Sequence, residues 1–350
     1  MHEMQRIASL LDEALARGLG SAATVSVGDA GVEVFRYACG RARRAPDLGD
    51  AIDERALWDL ASLTKPMATA ALAMVLVAKR ELDLDAPVRT WIPEASTTGT
   101  VAQLLAHTAG CVAHVEFFRE LREHPPADPR AALVERAARE PANAPGGERV
   151  YSDLGYIMLG AIVECASGLA LPYLFDRFVA RPLHLAARYA SATPIAGAVA
   201  TELDYRGLVC GRVHDDNAYF GGDACGHAGL FATIGDVATF AAAIIGAANG
   251  LDNAFEPSIV QRFITARPPL GWDVPSREPG VSHAGDRWPR EHAIGHLGFT
   301  GTSLWLDLAN RRWVALLTNR VHPTRGGDSA DRIKALRRAV ADAAVDALDR

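Results

Sequence analysis

The chain has 350 residues, of which 49% are apolar and 22% charged, with a formal net charge of −6 at pH 7. This composition is typical of a folded globular protein with one large or two modest domains. It excludes the basic field that would attract nucleic acids or anionic membranes. Five widely spaced cysteines without a CxxC pair argue against a disulfide scaffold. Such cysteine usage favours a reducing compartment.

The N-terminal segment, residues 1–18, carries acids and has no apolar h-region. It predicts an amphipathic helix and not a signal peptide. The longest apolar stretch, 68–78, is too short to cross a bilayer. We therefore expect a cytoplasmic protein that binds neither membranes nor nucleic acids. The sequence does not fix its oligomeric state.

The first elements after this helix are two predicted strands, 23–27 and 32–39, which form a hairpin around the turn at 28–31. An apolar helix is predicted over 62–79, with Pro66 early enough in it to be tolerated. The region that follows is punctuated by Pro and Gly and contains further helical pieces, at 101–106, 130–139, 155–167 and 172–179.

The last third of the chain returns to strands. A helix is predicted over 233–245, with Asp236 as the capping-box partner of its first residue. Runs of β-branched and aromatic residues at 302–308 and 313–318 predict a second hairpin. A closing amphipathic helix is predicted over 329–348.

Strands thus occur at both chain ends, with helices between them. We predict an α+β fold with two domains. One is an antiparallel sheet flanked by helices, built from residues 1–80 and 231–350. The other is a mostly helical domain, 81–230, inserted between these segments, with the active site in the cleft between the two.

Ser62 and Lys65 stand one helical turn apart at the start of the predicted apolar helix. A serine there meets free backbone N–H groups and the positive end of the helix dipole. A lysine three residues on lies on the same face, and a buried neutral lysine is able to act as a general base. The alternative is an N-capping serine beside a solvated lysine, but the apolar helix favours burial.

Two further motifs contain groups that are suited to catalysis. In Tyr151-Ser152-Asp153, a tyrosine beside a lysine would have a lowered pKa and would shuttle protons. In the glycine-rich stretch 295–301, the backbone N–H of Phe299 would join that of Ser62 in an oxyanion hole. The alternatives are a packing tyrosine with an aspartate cap and an ordinary glycine-rich turn.

Together and in this order, the motifs resemble those of the serine β-lactamase and penicillin-binding-protein superfamily, in the branch with class C β-lactamases, DD-peptidases and family VIII carboxylesterases. The resemblance rests on an SxxK box at 62–65, a YxN-like box at 151–153, an HxG box at 296–298, and similar segments at 104–111 and 226–233. It implies a β-lactamase/transpeptidase-like fold. It also implies an acyl-enzyme on Ser62, with Lys65 and Tyr151 as the other catalytic residues.

The predicted oxyanion and substrate-binding residues are Phe299, Asp153, His296 and Gly298. Two of them depart from the family pattern. Asp153 stands where asparagine is usual, and an ionised carboxylate only accepts hydrogen bonds. His296 stands where lysine is usual, which weakens the fixed positive charge for a substrate carboxylate. Both departures disfavour efficient β-lactam turnover.

Cys210, His214, Cys225 and His227 fall in one stretch, but their spacings match no common zinc pattern well. We predict a structural loop near the active site here, with no metal and no cofactor.

We predict a serine hydrolase that acts on a small ester, amide or peptide substrate. Carboxylesterase-like activity is placed first, because of Asp153, His296 and the absence of a signal peptide. A D-Ala-type DD-peptidase is second and a β-lactamase third. A penicillin-binding sensor without turnover is the alternative from another class. An α/β-hydrolase is excluded because the chain contains no GxSxG.

Overall fold

The computed structural model describes residues 2–349. Its helices are α1 (His2–Ala16), α2 (Ala71–Ala78), α3 (Val101–Leu105), α4 (Phe118–Glu123), α5 (Pro129–Arg139), α6 (Asp153–Ser167), α7 (Leu171–Phe175), α8 (Asp216–Phe220), α9 (Ile234–Ala248), α10 (Pro257–Thr265) and α11 (Ser329–Leu348). Its strands are β1 (Ala22–Asp29), β2 (Val32–Gly40), β3 (Trp58–Asp59), β4 (Arg188–Tyr189), β5 (Leu203–Asp204), β6 (Gly207–Leu208), β7 (Leu230–Ala232), β8 (Ala293–Leu297), β9 (Ser303–Asp307) and β10 (Arg312–Thr318).

The main sheet is antiparallel and has the strand order β2-β1-β10-β9-β8. Strand β1, near the start of the chain, pairs with β10, near its end, so that Ala23 lies opposite Thr318. Both predicted hairpins are present, since β1 pairs with β2 and β9 with β10. The predicted sheet with strands from both chain ends is therefore confirmed, and β8 adds the edge strand that carries His296.

Helices cover both faces of this sheet. Residues alternate along β10, so that Val314 faces a cluster with α1 and α11, whereas Ala315 faces the larger core. Helix α9 packs on β1, β9 and β10, and its first turn is held by the predicted capping box between Thr233 and Asp236. Because β1 is covered on both sides, almost all of its residues are buried.

The segment that begins at Ser62 is less regular than predicted. It contains a 3-10 turn at Ala61–Leu63 and a π-helical turn at Lys65–Ala70 before α2. Pro66 has no N–H to donate, which disfavours regular hydrogen bonding in the first turns. Short π-helical turns occur often at functional sites.

This helical segment lies in the core of the molecule. Helix α2 packs against α6 and α10. The stretch from Ala61 to Ala78 is longer than the apolar run counted from the sequence, and its length and composition would allow it to cross a membrane. However, 83% of it is buried inside the protein, as is typical of a core helix. The division into domains of residues 1–80 with 231–350 and 81–230 stays a prediction.

Candidate active site

Ser62 follows a residue in a strained backbone conformation. Ala61 has φ +48°, in the left-handed region that side chains with a Cβ rarely adopt. The buried Asp59 carboxylate holds this turn by accepting hydrogen bonds from the N–H groups of Ala61 at 2.8 Å and His214 at 2.6 Å. The turn places Ser62, which is partly buried, on the wall of a large cavity.

Lys65 is completely buried, and its ammonium group contacts three acceptors. Nζ lies 2.9 Å from Ser62 Oγ and 2.7 Å from Asp153 Oδ1. A longer contact of 3.4 Å joins it to the carbonyl oxygen of His227. The three hydrogens of an ammonium group are thus matched by three oxygens. The structure therefore brings Ser62 and Lys65 together at the predicted spacing and adds Asp153 as a partner of Lys65.

The charge of Lys65 differs from the sequence expectation. Burial lowers the pKa of Lys65, but the Asp153 carboxylate and the Tyr151 phenol raise it more, so the net pKa lies above the ordinary value. Burial likewise raises the pKa of Asp153, but Lys65 and His114 bring it far below its usual range. The expected neutral lysine is wrong for the resting site, because an anion stands where the family has a neutral amide.

Tyr151 lies beside this ion pair. Its ring centroid is 4.7 Å from Lys65 Nζ and 4.6 Å from the centroid of the His107 ring. The residue is 36% exposed overall, but its hydroxyl has Ser62 and Lys65 as neighbours. Burial raises the pKa of Tyr151 more than Lys65 lowers it. The sequence-based expectation of a lowered pKa is therefore wrong, and Tyr151 is a neutral phenol near pH 7.

His296 is buried on β8 and lines the cavity, with its ring centroid 5.8 Å from that of Tyr151. Its Nδ1 lies 2.9 Å from the carbonyl oxygen of Leu297, which accepts the hydrogen of that nitrogen. Burial lowers the pKa of His296 to about 4. The imidazole is therefore uncharged near neutral pH and supplies no fixed positive charge.

The turn after β8 is bound directly to the segment before Ser62. Thr300 Oγ1 donates to the carbonyl oxygen of Asp59, and Thr302 Oγ1 donates to that of Leu60, both at 2.9 Å. The turn approaches so closely that a Cβ on Gly298 would lie 2.5 Å from the Leu60 oxygen. Only glycine fits this position without displacement of the turn.

Two backbone N–H groups are left available by this arrangement. Within residues 2–349, the N–H groups of Ser62 and Phe299 donate to no acceptor. They belong to segments that are hydrogen-bonded to one another. Free backbone donors on a rigid support are the elements of an oxyanion hole. The predicted pair therefore has the chemical character that its role requires.

Several residues of the site are missing from the sequence prediction. His114 Nδ1 lies 3.2 Å from Asp153 Oδ2, the oxygen that Lys65 does not use. His107 accepts the N–H of Ser152 on Nδ1 at 3.0 Å and so orients the segment that carries Tyr151. His107 stands in the 104–111 segment that the resemblance singles out, which offered a signal, whereas nothing in the sequence spacing singles out His114.

Both histidines of the Cys210 to His227 stretch contact a carboxylate. His227 Nε2 lies 2.9 Å from Asp215 Oδ1, and His214 Nε2 lies 2.9 Å from Glu202 Oε2. Cys225 is buried, while Cys210 contacts a backbone carbonyl. Among the described residues, no group of three or more His, Cys, Asp or Glu side chains is arranged to hold a metal ion.

The cavity at Ser62 has a volume of about 910 Å³. It is large enough for a drug-sized substrate. Its walls carry charges of both signs: the acids are Asp153, Asp215, Asp216, Asp273 and Glu116, and the bases are Arg149, Arg320, Arg325, Lys334 and Arg337. A second cavity of about 960 Å³ shares Arg149, Val274 and Ser276 with it but does not include Ser62.

A serine hydroxyl beside a buried lysine, a tyrosine that neighbours both, and two free backbone N–H groups are the components of a serine hydrolase without a histidine base. A model of the Beta-lactamase family matches residues 7–339, and the chain belongs to the Beta-lactamase family. The recognition made from the sequence motifs is thereby confirmed, as is the assignment to serine hydrolases.

Relatives of this chain include proteins named as putative D-alanyl-D-alanine carboxypeptidases. The chain is 27% identical over 304 residues to a putative D-alanyl-D-alanine carboxypeptidase of Escherichia coli strain K12, with 76% of this chain and 69% of that protein covered. It is 25% identical over the same length to a putative D-alanyl-D-alanine carboxypeptidase of Salmonella agona, with 76% of this chain and 70% of that protein covered.

Solved structures confirm the predicted β-lactamase/transpeptidase-like α+β fold. The crystal structure of SurE with D-Leu is similar with a TM-score of 0.71 and 24% identity, covering 98% of this chain and 76% of that chain. A beta-lactamase from Mycobacterium bovis has a TM-score of 0.64 and 20% identity, covering 97% of this chain and 99% of that chain. EstCE1, described as a hydrolase with promiscuous acyltransferase activity, has a TM-score of 0.69 and 21% identity, covering 97% and 99%.

Proposed function

We propose that the protein hydrolyses small carboxylic esters through an acyl-enzyme on Ser62. The observation that carries this proposal is the contact of 2.9 Å between Ser62 Oγ and Lys65 Nζ, at the wall of a substrate-sized cavity. Lys65, Tyr151 and the N–H groups of Ser62 and Phe299 are the proposed catalytic partners. Small-molecule binding, the absence of nucleic-acid and membrane partners and a cytoplasmic location stay predictions.

Before acylation the Lys65 and Tyr151 pair releases one proton to solvent water, because the resting ammonium donates to Ser62 Oγ and does not accept from it. The base formed in this way takes the hydroxyl proton as Ser62 Oγ attacks the substrate carbonyl. The N–H groups of Ser62 and Phe299 stabilise the oxyanion. The same proton then passes to the leaving alcohol as the carbon–oxygen bond breaks.

Deacylation reverses these roles. Water attacks the acyl carbon and gives its proton to the Lys65 and Tyr151 pair, while the bond to Ser62 Oγ breaks and Oγ regains a proton. The carboxylic acid is released. Both steps are accelerated if the N–H groups of Ser62 and Phe299 bind the oxyanion of the transition state more tightly than the carbonyl oxygen of the ester.

The recognition groups favour an ester over a β-lactam. Asp153 has no amide N–H to donate to the acyl group of a substrate. Both of its oxygens are already occupied, one by Lys65 and the other by His114. His296 is uncharged near neutral pH and gives no ion pair to a β-lactam carboxylate. A small ester requires neither of these interactions.

A D-alanyl peptidase is the second candidate, and one feature of the cavity supports it. Arg320 and Arg337 are buried at the cavity wall, and Arg320 donates to the Phe299 carbonyl and to Ser329 Oγ instead of to a carboxylate. Buried arginines of this kind attract a substrate carboxylate. The names of the enterobacterial relatives point the same way.

The proposal is tested with purified wild type, Ser62→Ala and the control Ser9→Ala, which alters an exposed serine on α1. The substrates are a p-nitrophenyl ester, a peptide ending in D-Ala-D-Ala and a chromogenic cephalosporin. Mass spectrometry after treatment with a fluorophosphonate and a fluorescent penicillin locates the acylated residue. We expect ester hydrolysis and labelling at Ser62 in the wild type and in the control, and neither in Ser62→Ala.

Hydrolysis that survives in Ser62→Ala would disprove the mechanism. Faster turnover of the D-Ala-D-Ala peptide than of the ester would favour the peptidase. Stable acylation by penicillin with a single burst and no steady state would instead indicate a penicillin-binding sensor, the candidate from another class.

A further inference from the structure

Asp153 is shared between two basic side chains. Its Oδ1 lies 2.7 Å from Lys65 Nζ, and its Oδ2 lies 3.2 Å from His114 Nδ1. The backbone N–H of Asp153 donates to the carbonyl oxygen of Ala113, the residue before His114. Four groups, Ser62, Lys65, Asp153 and His114, therefore form one continuous chain of contacts from the nucleophile to the cavity wall.

His114 has no evident structural task that would explain this contact. Its side chain is 44% exposed and lines the cavity. Within the described part of the chain its ring makes no other hydrogen bond. Since a carboxylate only accepts, Nδ1 must carry the hydrogen, which fixes the tautomer of the neutral ring. Burial of a ring that is half exposed adds little to stability.

The surroundings of His114 favour its charged form. The hydrogen bond with Asp153 raises the pKa of His114 above the ordinary 6.5, burial lowers it, and the charges of Asp153, Asp215 and Glu116 raise it further. Of these acids, Asp215 also contacts His227, and Glu116 contacts Arg119. Protonation of His114 is therefore easier than that of an ordinary histidine.

We propose that His114 is a positioning residue of the hydrolase, which through Asp153 sets how firmly Lys65 holds its proton. The inference rests on the proposed acylation of Ser62. When His114 is protonated, two cations share one carboxylate, and each lowers the proton affinity of the other. Lys65 then gives up its proton more readily and becomes available as a base for Ser62.

The contact between His114 and Asp153 also has an effect that does not depend on the charge of His114. The neutral Nδ1–H still holds Asp153 Oδ2 and thereby keeps Oδ1 directed at Lys65. Glutamine keeps a donor but does not titrate, whereas phenylalanine supplies no donor. The variants His114→Gln and His114→Phe therefore separate the hydrogen bond from the charge.

The experiment measures the rate of fluorophosphonate labelling of Ser62 by intact-protein mass spectrometry, from about pH 5 to about pH 9, across the range in which histidine titrates. We expect His114→Gln to match wild type at the alkaline end. At lower pH, where His114 of wild type is protonated, His114→Gln should be labelled about tenfold more slowly than wild type. A tenfold difference corresponds to a change of one unit in the pKa of Lys65. His114→Phe should be slower at every pH, by about 10-fold to 100-fold.

The matched control is His124→Gln, which alters an exposed histidine at the end of α4 outside the cavity. Its profile should follow that of wild type. A ratio of wild type to His114→Gln that stays constant with pH would overturn the role of His114, since a purely structural effect gives a constant ratio. This comparison does not require that His114→Phe fold.

Failure of the proposed function gives a different result. A wild-type enzyme that is not labelled, or is labelled equally in Ser62→Ala, would overturn both the acylation of Ser62 and the inference built on it. Labelling at Ser62 with a pH-independent ratio overturns only the inference.

Discussion

Lys65 and Asp153 form a buried ion pair at 2.7 Å, and the same ammonium lies 2.9 Å from Ser62 Oγ. Lys65 is fully buried, and the Asp153 side chain is 19% exposed. The pair therefore lies in a low-dielectric region, where the anion decides whether the lysine is charged. Asparagine at this position would remove the main group that opposes the effect of burial on the pKa of Lys65.

Asp153→Asn should shift the pH dependence of Ser62 labelling to lower pH. Without the carboxylate, burial lowers the pKa of Lys65 against the Tyr151 phenol only, so the neutral base exists at a lower pH than in wild type. The measurement is the labelling rate against pH, with Asp176→Asn, at an exposed ion pair, as the control. A profile that does not move would mean that Lys65 is not the titrating base.

The same substitution should reduce stability over a defined pH window. The pKa of Asp153 is depressed, so its contribution is present above the ordinary 3.8 and is lost as the pH falls through the lower folded-state value. The pKa of Lys65 is raised, so its contribution is present below the ordinary 10.5 and is lost as the pH rises further. Between these limits we expect Asp153→Asn to cost about 3–5 kcal/mol.

Urea unfolding at a series of pH values measures this loss. The exposed pair of Asp176 and Arg181 should contribute only about 0–1 kcal/mol, so Asp176→Asn serves again as the control. A difference between wild type and Asp153→Asn that persists unchanged far below pH 3.8 would contradict an electrostatic origin.

Tyr151→Phe should lower kcat for ester hydrolysis by about 10²-fold to 10⁴-fold, with little change in KM. The phenol is neutral at rest because burial raises its pKa, so its hydroxyl is a proton donor to the leaving group. Steady-state kinetics measure the effect, and Tyr173→Phe, at a tyrosine that is 49% exposed, is the control. A loss below about tenfold would place the proton transfer elsewhere.

Gly298→Ala should lower kcat by about 10²-fold to 10³-fold, the usual effect of losing one oxyanion donor. The new Cβ would lie 2.5 Å from the Leu60 carbonyl oxygen, so the turn must move and carry the Phe299 N–H with it. In the control Gly147→Ala, the added Cβ meets its nearest neighbour at an ordinary 3.6 Å. Kinetics and a thermal melt separate loss of catalysis from unfolding, and equal kcat values for the two variants would argue against Phe299 as a donor.

His296→Gln should make the protein less sensitive to acid. The folded state lowers the pKa of His296 from 6.5 to about 4, so the unfolded chain takes up this proton first as the pH falls. Stability is therefore lost between these values, by about 3 kcal/mol in total. Melts from neutral to acidic pH should show a shallower decline for His296→Gln than for wild type or His124→Gln. Parallel declines would show that His296 does not titrate as described.

Local chemistry was well predicted from the sequence. The strand signals around residues 28–31, the capping box at Thr233 and the spacing of Ser62 and Lys65 all depend on neighbours in the chain. Periodicity, turn residues and motif spacing report such short-range relationships directly. The regular helix predicted over 62–79 was wrong in its first turns, where a 3-10 and a π-helical turn replace it.

The errors in the site all concern charge. A neutral Lys65 and a lowered Tyr151 pKa were expected because each residue was judged by its own surroundings in the chain. Asp153 follows Lys65 by 88 positions, and its distance of 2.7 Å is a product of the packing of α6 against the helix that carries Lys65. A pKa depends on distance and burial, and neither can be computed from sequence separation.

By itself, the sequence determined the family, because Ser62, Lys65, Tyr151 and the turn at 298–302 belong to local motifs whose order identifies it. Only the tertiary structure decided how they are charged and held. It placed Asp153 between Lys65 and His114 and bound the turn to Leu60 through Thr302. Motifs are read along the chain, whereas electrostatic coupling and hydrogen-bond geometry act across space, over a few ångströms between residues far apart in sequence.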